Sequence, residues 1–364
     1  MNIAAASKLT EIAASIPNPE PRYYEQAQVH LDSLTKPPGS LGRLETIAAQ
    51  IVAIRSGSIR LPVRKGVYVF AADHGIASEG VSAYPREVTA QMVLNFLRGG
   101  AAINVLARLH GADLTVVDVG VDAEFEEAPT LHRAKVRNGS RNFLREAAMS
   151  DDELSAALEV GFAMARNAEE KGHSLIAVGE MGIGNTTSAS AITAMLTGLQ
   201  LAEVTGRGTG LDDSGRDNKR SVIERALALH FHDLHFHDSR DIPPLEILRC
   251  VGGLEIAAMV GFYLGAAQAR MAIVCDGFIS TSAAALAYAI APQVKSYLLA
   301  GHCSEEPGHR HLLHYLGISP ILSLGMRLGE GTGAVLAMPI IESSLRVYSE
   351  MATFASAGVS GAKS

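Results

Sequence analysis

The segment Gly66-Val-Tyr-Val-Phe-Ala71, which leads into Asp73-His-Gly75, is the clearest indication of the fold. It is a short apolar run that ends at polar residues. Four further runs of similar length alternate with longer helical patterns along the chain, at residues 114–119, 174–178, 271–275 and 295–300. Uninterrupted apolar strands separated by helices are typical of a parallel sheet covered by helices on both faces. The sequence therefore predicts an α/β fold built on a doubly wound parallel sheet.

Polar or glycine-rich chain follows each of these five runs, at residues 73–75, 120–122, 179–185, 276–278 and 301–305. In a doubly wound sheet, ligands bind outside the carboxyl ends of the strands, where these segments would meet. One site is therefore expected at this edge of the sheet. Asp73 and His74 are candidate members of it, because they come directly after the first strand.

Helical patterns occupy both ends of the chain. We expect one large α/β domain over residues 60–335 and a small helical domain made of residues 1–59 together with 336–357. The short polar segment at residues 358–364 is predicted to be a disordered tail.

The composition narrows the class of protein. Of the 364 residues, 48% are hydrophobic and 19% are charged. The net charge is −7 and the sequence contains no cluster of basic residues, which argues against a nucleic-acid partner. Cys250, Cys275 and Cys303 are odd in number and far apart in the sequence, which favours a reducing compartment over a disulfide framework. No apolar segment of signal-peptide or membrane-spanning length occurs, so we expect a cytoplasmic protein without a membrane partner.

The segment Arg327-Leu-Gly-Glu-Gly-Thr-Gly-Ala334 holds one carboxylate, Glu330, between two glycines and ahead of an apolar run. Glycines allow a tight turn and a close approach of a ligand, while apolar neighbours would raise the proton affinity of the carboxylate. This pattern indicates a general base. The alternative is a glutamate near a helix start that is stabilised by the helix dipole.

Two glycine-rich loops are candidates for anion binding. Residues 178–188 lead from a strand through three glycines into a helix, whose free N–H groups could bind a phosphate; the alternative is a simple capped connection. Thr205-Gly-Arg-Gly-Thr-Gly210, followed by Lys219, could form a second wall or be a solvated surface loop. Neither loop has the spacing of a dinucleotide fingerprint or a Walker loop.

His230-Phe-His-Asp-Leu-His-Phe-His237 suggests a metal cluster at first sight. The segment lacks a complementary framework of cysteines or carboxylates nearby, and metal binding requires matched ligand geometry. We therefore predict no metal site.

Four motifs occur together in the order Lys36-Pro-Pro-Gly-Ser-Leu-Gly-Arg-Leu44, Ala72-Asp-His-Gly75 with Glu79-Gly-Val81 and Pro85, Val178-Gly-Glu-Met-Gly-Ile-Gly-Asn-Thr-Thr187, and Arg327-Leu-Gly-Glu-Gly-Thr-Gly333. Taken together they closely resemble the nicotinate-nucleotide:dimethylbenzimidazole phosphoribosyltransferase family, and the resemblance spans about residues 30–350. The combination is far more specific than any single motif.

The resemblance implies transfer of a 5-phosphoribosyl group from nicotinate mononucleotide to 5,6-dimethylbenzimidazole, giving α-ribazole 5′-phosphate and nicotinate in cobalamin lower-ligand synthesis. It also implies a Rossmann-like large domain, a small helical domain formed by both chain ends, and a homodimer. The pyridinium leaving group departs as a neutral nitrogen, so no cofactor or metal is expected. The acceptor does need a base, because attack at C1′ leaves positive charge on its ring until the other N–H is removed.

Site residues follow from the same resemblance. Glu330 matches the catalytic base. The phosphoribosyl group is expected to contact residues of the two glycine-rich loops, namely Glu180, Met181, Gly182, Ile183, Gly184, Thr205, Gly206, Arg207, Gly208 and Lys219. The acceptor is expected in an apolar slot that includes Tyr84, Gln91, Met92 and Leu328. Two alternatives stay open: the same donor with another acceptor such as adenine or a phenol, and a non-catalytic nucleotide sensor on this fold.

Overall fold

A computed structural model describes residues 3–231 and 242–360 of the chain. Its centre is a seven-stranded sheet in which every neighbouring pair is parallel, with the strand order β3-β2-β1-β4-β5-β6-β7. The strands are β1 (Lys65–Ala72), β2 (Ala112–Gly120), β3 (Leu131–Arg133), β4 (Leu175–Met181), β5 (Ala272–Cys275), β6 (Leu298–His302) and β7 (Pro320–Leu322). The predicted doubly wound parallel sheet is confirmed.

Helices connect the strands and flank the sheet. They are α1 (Ile3–Ser15), α2 (Pro21–Ser33), α3 (Arg43–Ile54), α4 (Val88–Leu97), α5 (Ala102–His110), α6 (Asp151–Glu170), α7 (Asn185–Thr197), α8 (Leu201–Val204), α9 (Asp213–His230), α10 (Pro244–Val251), α11 (Leu254–Gln268), α12 (Phe278–Ile290), α13 (Pro307–Leu316), α14 (Thr332–Glu350) and α15 (Phe354–Ala357). Short 3-10 helices occupy Gly75–Glu79 and Pro292–Tyr297.

The five predicted strands are present, with one boundary corrected. The run at residues 295–300 begins as the 3-10 helix that ends at Tyr297, and β6 starts only at Leu298. Two strands were not predicted, β3 and β7, each of three residues and at opposite edges of the sheet.

The chain changes direction across the sheet between β1 and β4. From β1 it proceeds through β2 to β3 on one side, then returns to β4 and continues through β5 and β6 to β7 on the other. Val69 of β1 consequently lies between Val116 of β2 and Gly179 of β4. In folds of this class, ligands bind outside the carboxyl ends of the strands near such a reversal.

A long buried helix explains how one layer packs so tightly. From Leu254 to Ala267 every residue of α11 is buried. Its Gly261 meets α6 so closely that a Cβ atom there would lie 2.2 Å from the carbonyl oxygen of Leu158, and one at Gly161 of α6 would lie 2.0 Å from that of Ala258. Glycine at both positions lets the two backbones approach.

Helices from both ends of the chain pack together. A separate apolar cluster joins α2 and α3 to the last turns of α14, and it consists of Ala27, Leu31, Leu34, Ala49 and Val52, with Val347, Tyr348 and Met351 against it. Helix α14 is continuous across residues 335 and 336, where the domain boundary was placed. The division into a large and a small domain stays a prediction.

Two further expectations concern the ends and the surroundings of the chain. Of the predicted tail, residues 358–360 are exposed and residues 361–364 lie outside the described part. Within residues 3–231 and 242–360, no helix is both long enough and apolar enough to span a membrane.

Candidate functional site

Glu330 lies in a turn whose backbone is unusual. Gly329, Glu330 and Gly331 have φ angles of +84°, +64° and +87°, so three consecutive residues adopt left-handed conformations. Such values are common for glycine, but they are rare for a residue with a side chain and are concentrated at functional sites. The tight turn expected from the glycines is present, and it ends at the first residue of α14, Thr332.

The turn crosses strand β4 at very short range. A Cβ atom on Gly179 would lie 2.5 Å from the backbone carbon and oxygen of Glu330, so only glycine fits at this point of the strand. Asp276, directly after β5, fixes the turn from the other side. Its carboxylate accepts the N–H of Gly331 at 3.1 Å and that of Ala334 at 2.9 Å.

The carboxyl group of Glu330 is buried, with 5% of the residue exposed, and its Oε2 accepts no hydrogen bond from the residues that the structure describes. Burial raises its pKa from 4.5 to about 7; the backbone N–H of Ile103 opposes this rise and the charge of Asp276 adds to it. Around neutral pH the group can therefore both accept and release a proton.

A second carboxyl group lies beside the first. Burial raises the pKa of Glu180 to about 8; a hydrogen bond from the side-chain amide of Asn185 opposes the rise, and nearby carboxylates, including Glu330, add to it. A Cβ atom on Gly329 would lie 2.5 Å from Oε1 of Glu180, so this glycine serves both the turn and the contact. Repulsion between the two carboxylates disfavours ionising both.

The ammonium group of Lys219 lies directly behind the cavity wall, although Lys219 itself does not line the cavity. Lys219 is fully buried and donates a hydrogen bond of 2.8 Å to Oγ1 of Thr186 on α7. Burial lowers its pKa to about 8, and the carboxylate of Glu306 opposes that fall. A Cβ atom on Gly208 would lie 3.2 Å from this ammonium and 2.8 Å from Oγ1 of Thr186, so glycine lets the loop lie close to both groups. This is suitable chemistry for a phosphate group.

One cavity at the carboxyl ends of the strands brings part of the predicted site together. Seven of the predicted residues line it: Glu180, Met181, Gly182, Ile183, Gly208, Leu328 and Glu330. Ten further residues, none of them named individually as a site residue from the sequence, also line it: Asn185, Thr186, Thr209, Gly277, Phe278, Ile279, Ser304, Glu306, Arg327 and Gly329. The carboxylates, the glycine backbone and the apolar side chains thus face one volume.

The loops around the cavity are tied to one another. Arg327 donates to the carbonyl oxygen of Gly208 at 3.1 Å, which joins the Glu330 turn to the second glycine-rich loop. The side chain of Thr209 accepts the backbone N–H of Ala83 at 3.1 Å, which brings the loop that carries Tyr84 to the same rim.

The four residues predicted for the acceptor slot are more open. Tyr84 and Leu328 are 54% and 56% exposed. On α4, Gln91 is exposed and Met92 is partly buried. Of these four, Leu328 alone lines the cavity.

The remaining residues of the second loop lie behind the cavity wall or point away from it. Thr205 is buried, and a Cβ atom on Gly206 would lie 2.0 Å from Oε2 of Glu306. The guanidinium of Arg207 donates to the carbonyl oxygen of Leu211 at 3.0 Å and to the carboxylate of Asp213 at 2.6 Å, on the exposed side of the loop. In the first loop, Gly184 forms the N-cap of α7 with φ of +100°.

Asp73 and His74 lie outside the cavity and are held by buried polar contacts. The carboxylate of Asp73 accepts the N–H of Asp122 at 2.8 Å and pairs with Arg86. His74 is fully buried, and its Nε2 lies 2.5 Å from Oε1 of Glu255 at the start of α11. Neither residue lines the cavity.

Sequence reasoning did not name several buried polar residues around the site, chiefly Glu255, Asp276 and Glu306. The strand-end rule selected the segment 276–278 that begins with Asp276, but it did not identify Asp276 itself as a site residue. Glu306 follows β6 less closely. Nothing in the sequence links Glu255 to His74, because the two residues are 181 positions apart.

No group of three or more His, Cys, Asp or Glu side chains is arranged to hold a metal ion in the described ranges. Of the histidine-rich segment at residues 230–237, His230 ends α9 and donates to the carbonyl oxygen of Phe143 at 2.7 Å. Residues 232–237 lie outside the described residues.

Comparison with known proteins gives one consistent result. A family model described as phosphoribosyltransferase matches residues 16–359. Nicotinate-nucleotide–dimethylbenzimidazole phosphoribosyltransferases from Geotalea uraniireducens and Chlorobaculum parvum are 51% and 49% identical to this chain, over 96% and 97% of its length and 98% of theirs.

Solved structures agree with the sequence relatives. The crystal structure of the nicotinate-nucleotide–dimethylbenzimidazole phosphoribosyltransferase from Thermus thermophilus matches with a TM-score of 0.87 at 47% identity, covering 94% of this chain and all of that one. A structure of CobT from the same organism matches with a TM-score of 0.88 at 48% identity, covering 93% and 99%. The chain belongs to the nicotinate-nucleotide–dimethylbenzimidazole phosphoribosyltransferase family.

Proposed function

We propose that this chain transfers the 5-phosphoribosyl group of nicotinate mononucleotide to 5,6-dimethylbenzimidazole, with Glu330 as the general base. The products are α-ribazole 5′-phosphate and nicotinate, as in the synthesis of the cobalamin lower ligand. The observation that carries the role of Glu330 is a buried carboxyl group on the cavity wall whose pKa is raised to about 7. A base with this pKa can remove the acceptor proton at neutral pH.

The reaction proceeds by attack of one benzimidazole nitrogen on C1′ of the ribose, while the bond from C1′ to the nicotinate nitrogen breaks. Nicotinate takes the electrons of that bond and leaves with a neutral ring nitrogen. Attack from the opposite face inverts C1′ and turns a β-nucleotide into an α-nucleotide. Glu330 then takes the proton from the second nitrogen of the acceptor, which removes the positive charge from its ring.

Binding groups for the donor lie in the wall of the same cavity and directly behind it, where Lys219 contacts the lining residue Thr186. The ammonium of Lys219 and the backbone of Gly182 to Gly184 hold the phosphate, since a buried cation and N–H groups at the start of a helix favour an anion. Glu180 accepts a hydrogen bond from a ribose hydroxyl. Holding donor and acceptor in line supplies much of the remaining rate acceleration.

The acceptor lies at the more open side, against Leu328 and Tyr84, with Gln91 and Met92 of α4 beyond them. A flat, apolar ring would cover the exposed surface of Leu328 and Tyr84. Thr205 and Gly206 support the phosphoribosyl wall from behind, and Arg207 holds the same loop through the carbonyl oxygen of Leu211 and the carboxylate of Asp213. Assembly as a homodimer and a cytoplasmic location complete the proposal.

The test is conversion of the two substrates by the purified chain without added metal, followed by chromatography of nicotinate and the α-nucleotide. We expect Glu330→Gln to lose most turnover while it still binds nicotinate mononucleotide. Glu350→Gln removes an exposed carboxylate from the far end of α14 and serves as the matched control. Wild-type turnover in Glu330→Gln would remove Glu330 as the base.

The same assay separates the alternatives. Competition between dimethylbenzimidazole, adenine and a phenol identifies the preferred acceptor. Release of nicotinate in step with acceptor consumption excludes a non-catalytic nucleotide sensor.

A further inference from the structure

Asp276 joins the end of a central strand to the turn that carries Glu330. It directly follows β5, only 2% of it is exposed, and its two carboxylate oxygens accept different backbone N–H groups. Oδ2 accepts that of Gly331 and Oδ1 that of Ala334. One side chain thus holds the residue directly after Glu330 and the first turn of α14.

The backbone conformation of the turn requires such an attachment. Glu330 has φ of +64°, a conformation that costs free energy for any residue other than glycine and persists only where the surroundings enforce it. Gly179 supplies the space for the turn, since its missing Cβ lets the backbone of Glu330 lie against β4. Asp276 supplies the attachment, through two hydrogen bonds to a charged acceptor.

The charge of Asp276 also acts on both carboxyl groups of the site. It contributes to the raised pKa of Glu180 and to that of Glu330. On β6, Nε2 of His302 lies 3.8 Å from Oδ1 of Asp276, and His302 makes no hydrogen bond through either ring nitrogen within the described chain.

The other titratable groups that interact with Asp276 do not change charge at neutral pH. Burial raises the pKa of the Cys275 thiol to about 12 and that of the Tyr263 phenol on α11 well above its usual range. The charge of Asp276 raises the pKa of both Glu180 and Glu330, and the imidazole of His302 lies beside it.

We propose that Asp276 is a positioning residue, which fixes the Glu330 turn to the end of β5 through its hydrogen bonds to Gly331 and Ala334. Its negative charge, held beside the same turn, also favours the protonated form of Glu330. The inference rests on the proposed function for its kinetic consequences. Asp276 itself touches no substrate, since it does not line the cavity and acts only through the turn.

The decisive variant is Asp276→Asn, which keeps the size of the side chain but removes the charge and at least one of the two hydrogen bonds. We expect kcat to fall by roughly tenfold to a hundredfold, since a small displacement of a reacting group costs this much. The KM for nicotinate mononucleotide should stay within about twofold, because this variant leaves Lys219 in place. The acidic limb of the pH profile should move to lower pH, because removal of a nearby negative charge lowers the pKa of Glu330.

A second variant, Asp276→Glu, separates charge from position. It keeps the carboxylate but lengthens the side chain, so kcat should fall while the acidic limb stays close to that of the wild type. Asp217→Asn on α9 removes an exposed carboxylate and is the matched control. Circular dichroism and thermal unfolding show which variants are folded. If Asp276→Asn is unfolded, a wild-type kcat in Asp276→Glu overturns the proposal.

If Asp276→Asn is folded, two results would overturn the proposal. One is a wild-type kcat. The other is a lower kcat with an unchanged acidic limb of the pH profile, which would indicate a structural role alone. A readout without turnover keeps this test apart from that of the proposed function. NMR titration of ¹³C-labelled glutamate carboxyls, assigned with Glu330→Gln, reports the pKa of Glu330 directly. A lower pKa in Asp276→Asn supports the inference even if the substrates differ, and an unchanged pKa refutes it even if the chain is an active phosphoribosyltransferase.

Discussion

Replacing Glu330 by glutamine is expected to stabilise the folded protein at alkaline pH, although it removes the proposed base. Burial raises the pKa of this carboxyl from 4.5 to about 7. Between those two pH values the folded protein holds a proton that the unfolded chain has released, so folding becomes less favourable as the pH rises. The loss is complete above about pH 7. Glutamine does not titrate, so the variant escapes it.

The expected size follows from the two pKa values. The gap from 4.5 to about 7 is about 2.5 pKa units, and each is worth about 1.4 kcal/mol. Glu330→Gln should therefore gain on the order of 3 kcal/mol in free energy of unfolding at pH 8 relative to the wild type. At pH 5 the same linkage relation gives a gain of less than about 1 kcal/mol. A gain of this size is a substantial part of the stability of a typical domain.

Urea unfolding followed by circular dichroism at pH 5 and pH 8 measures both values. Glu350→Gln is the control, since that carboxylate is largely exposed and its replacement should change stability little at either pH. The reasoning is refuted if the advantage of Glu330→Gln is the same at both pH values, or if the variant is the less stable protein at pH 8.

Three further outcomes are expected. The kcat/KM should rise about tenfold per pH unit below pH 7, where Glu330 is protonated, and fall again above pH 8, where Lys219 loses its charge. Initial rates measured from pH 5.5 to 9 test this. Rates that do not change across pH 7 would contradict the role of Glu330. Lys219→Met should raise the KM for nicotinate mononucleotide by roughly tenfold to a hundredfold, the usual range for a lost charge-assisted hydrogen bond, and an unchanged KM would place the phosphate elsewhere. Gly179→Ala should lower kcat by about a hundredfold, because its Cβ atom would lie 2.5 Å from the Glu330 backbone. Gly277→Ala, whose Cβ atom meets nothing closer than 3.4 Å, should lower kcat less. Equal losses of kcat in steady-state assays would refute the steric argument.

The fold could be predicted from sequence because its central strands are buried on both faces. Such strands appear as continuous apolar runs, as at Gly66-Val-Tyr-Val-Phe-Ala71. The two edge strands lack this signal. Leu131–Arg133 and Pro320–Leu322 have three residues each, none of them buried, so no run stands out from the adjoining loops.

The candidate site was only partly accessible to the same reasoning. A glycine-flanked carboxylate next to apolar chain suggested a raised proton affinity, and the structure shows a raised pKa for Glu330. Its neighbours were harder to find. Contacts such as that between His74 and Glu255 depend on how distant segments pack, and the orientation of Arg207 toward Asp213 depends on a loop that local patterns do not specify.

The distance along the chain between the parts of the Glu330 turn has a consequence for biosynthesis. Gly179, which makes room for the turn, precedes Glu330 by about 150 positions, and the turn itself lies after the last strand of the sheet. A nascent chain could therefore form β1 to β4 long before it holds a base. Release from the ribosome before residue 330 would leave these strands without the proposed base. The group proposed to accept the proton is therefore added near the end of synthesis, directly ahead of α14.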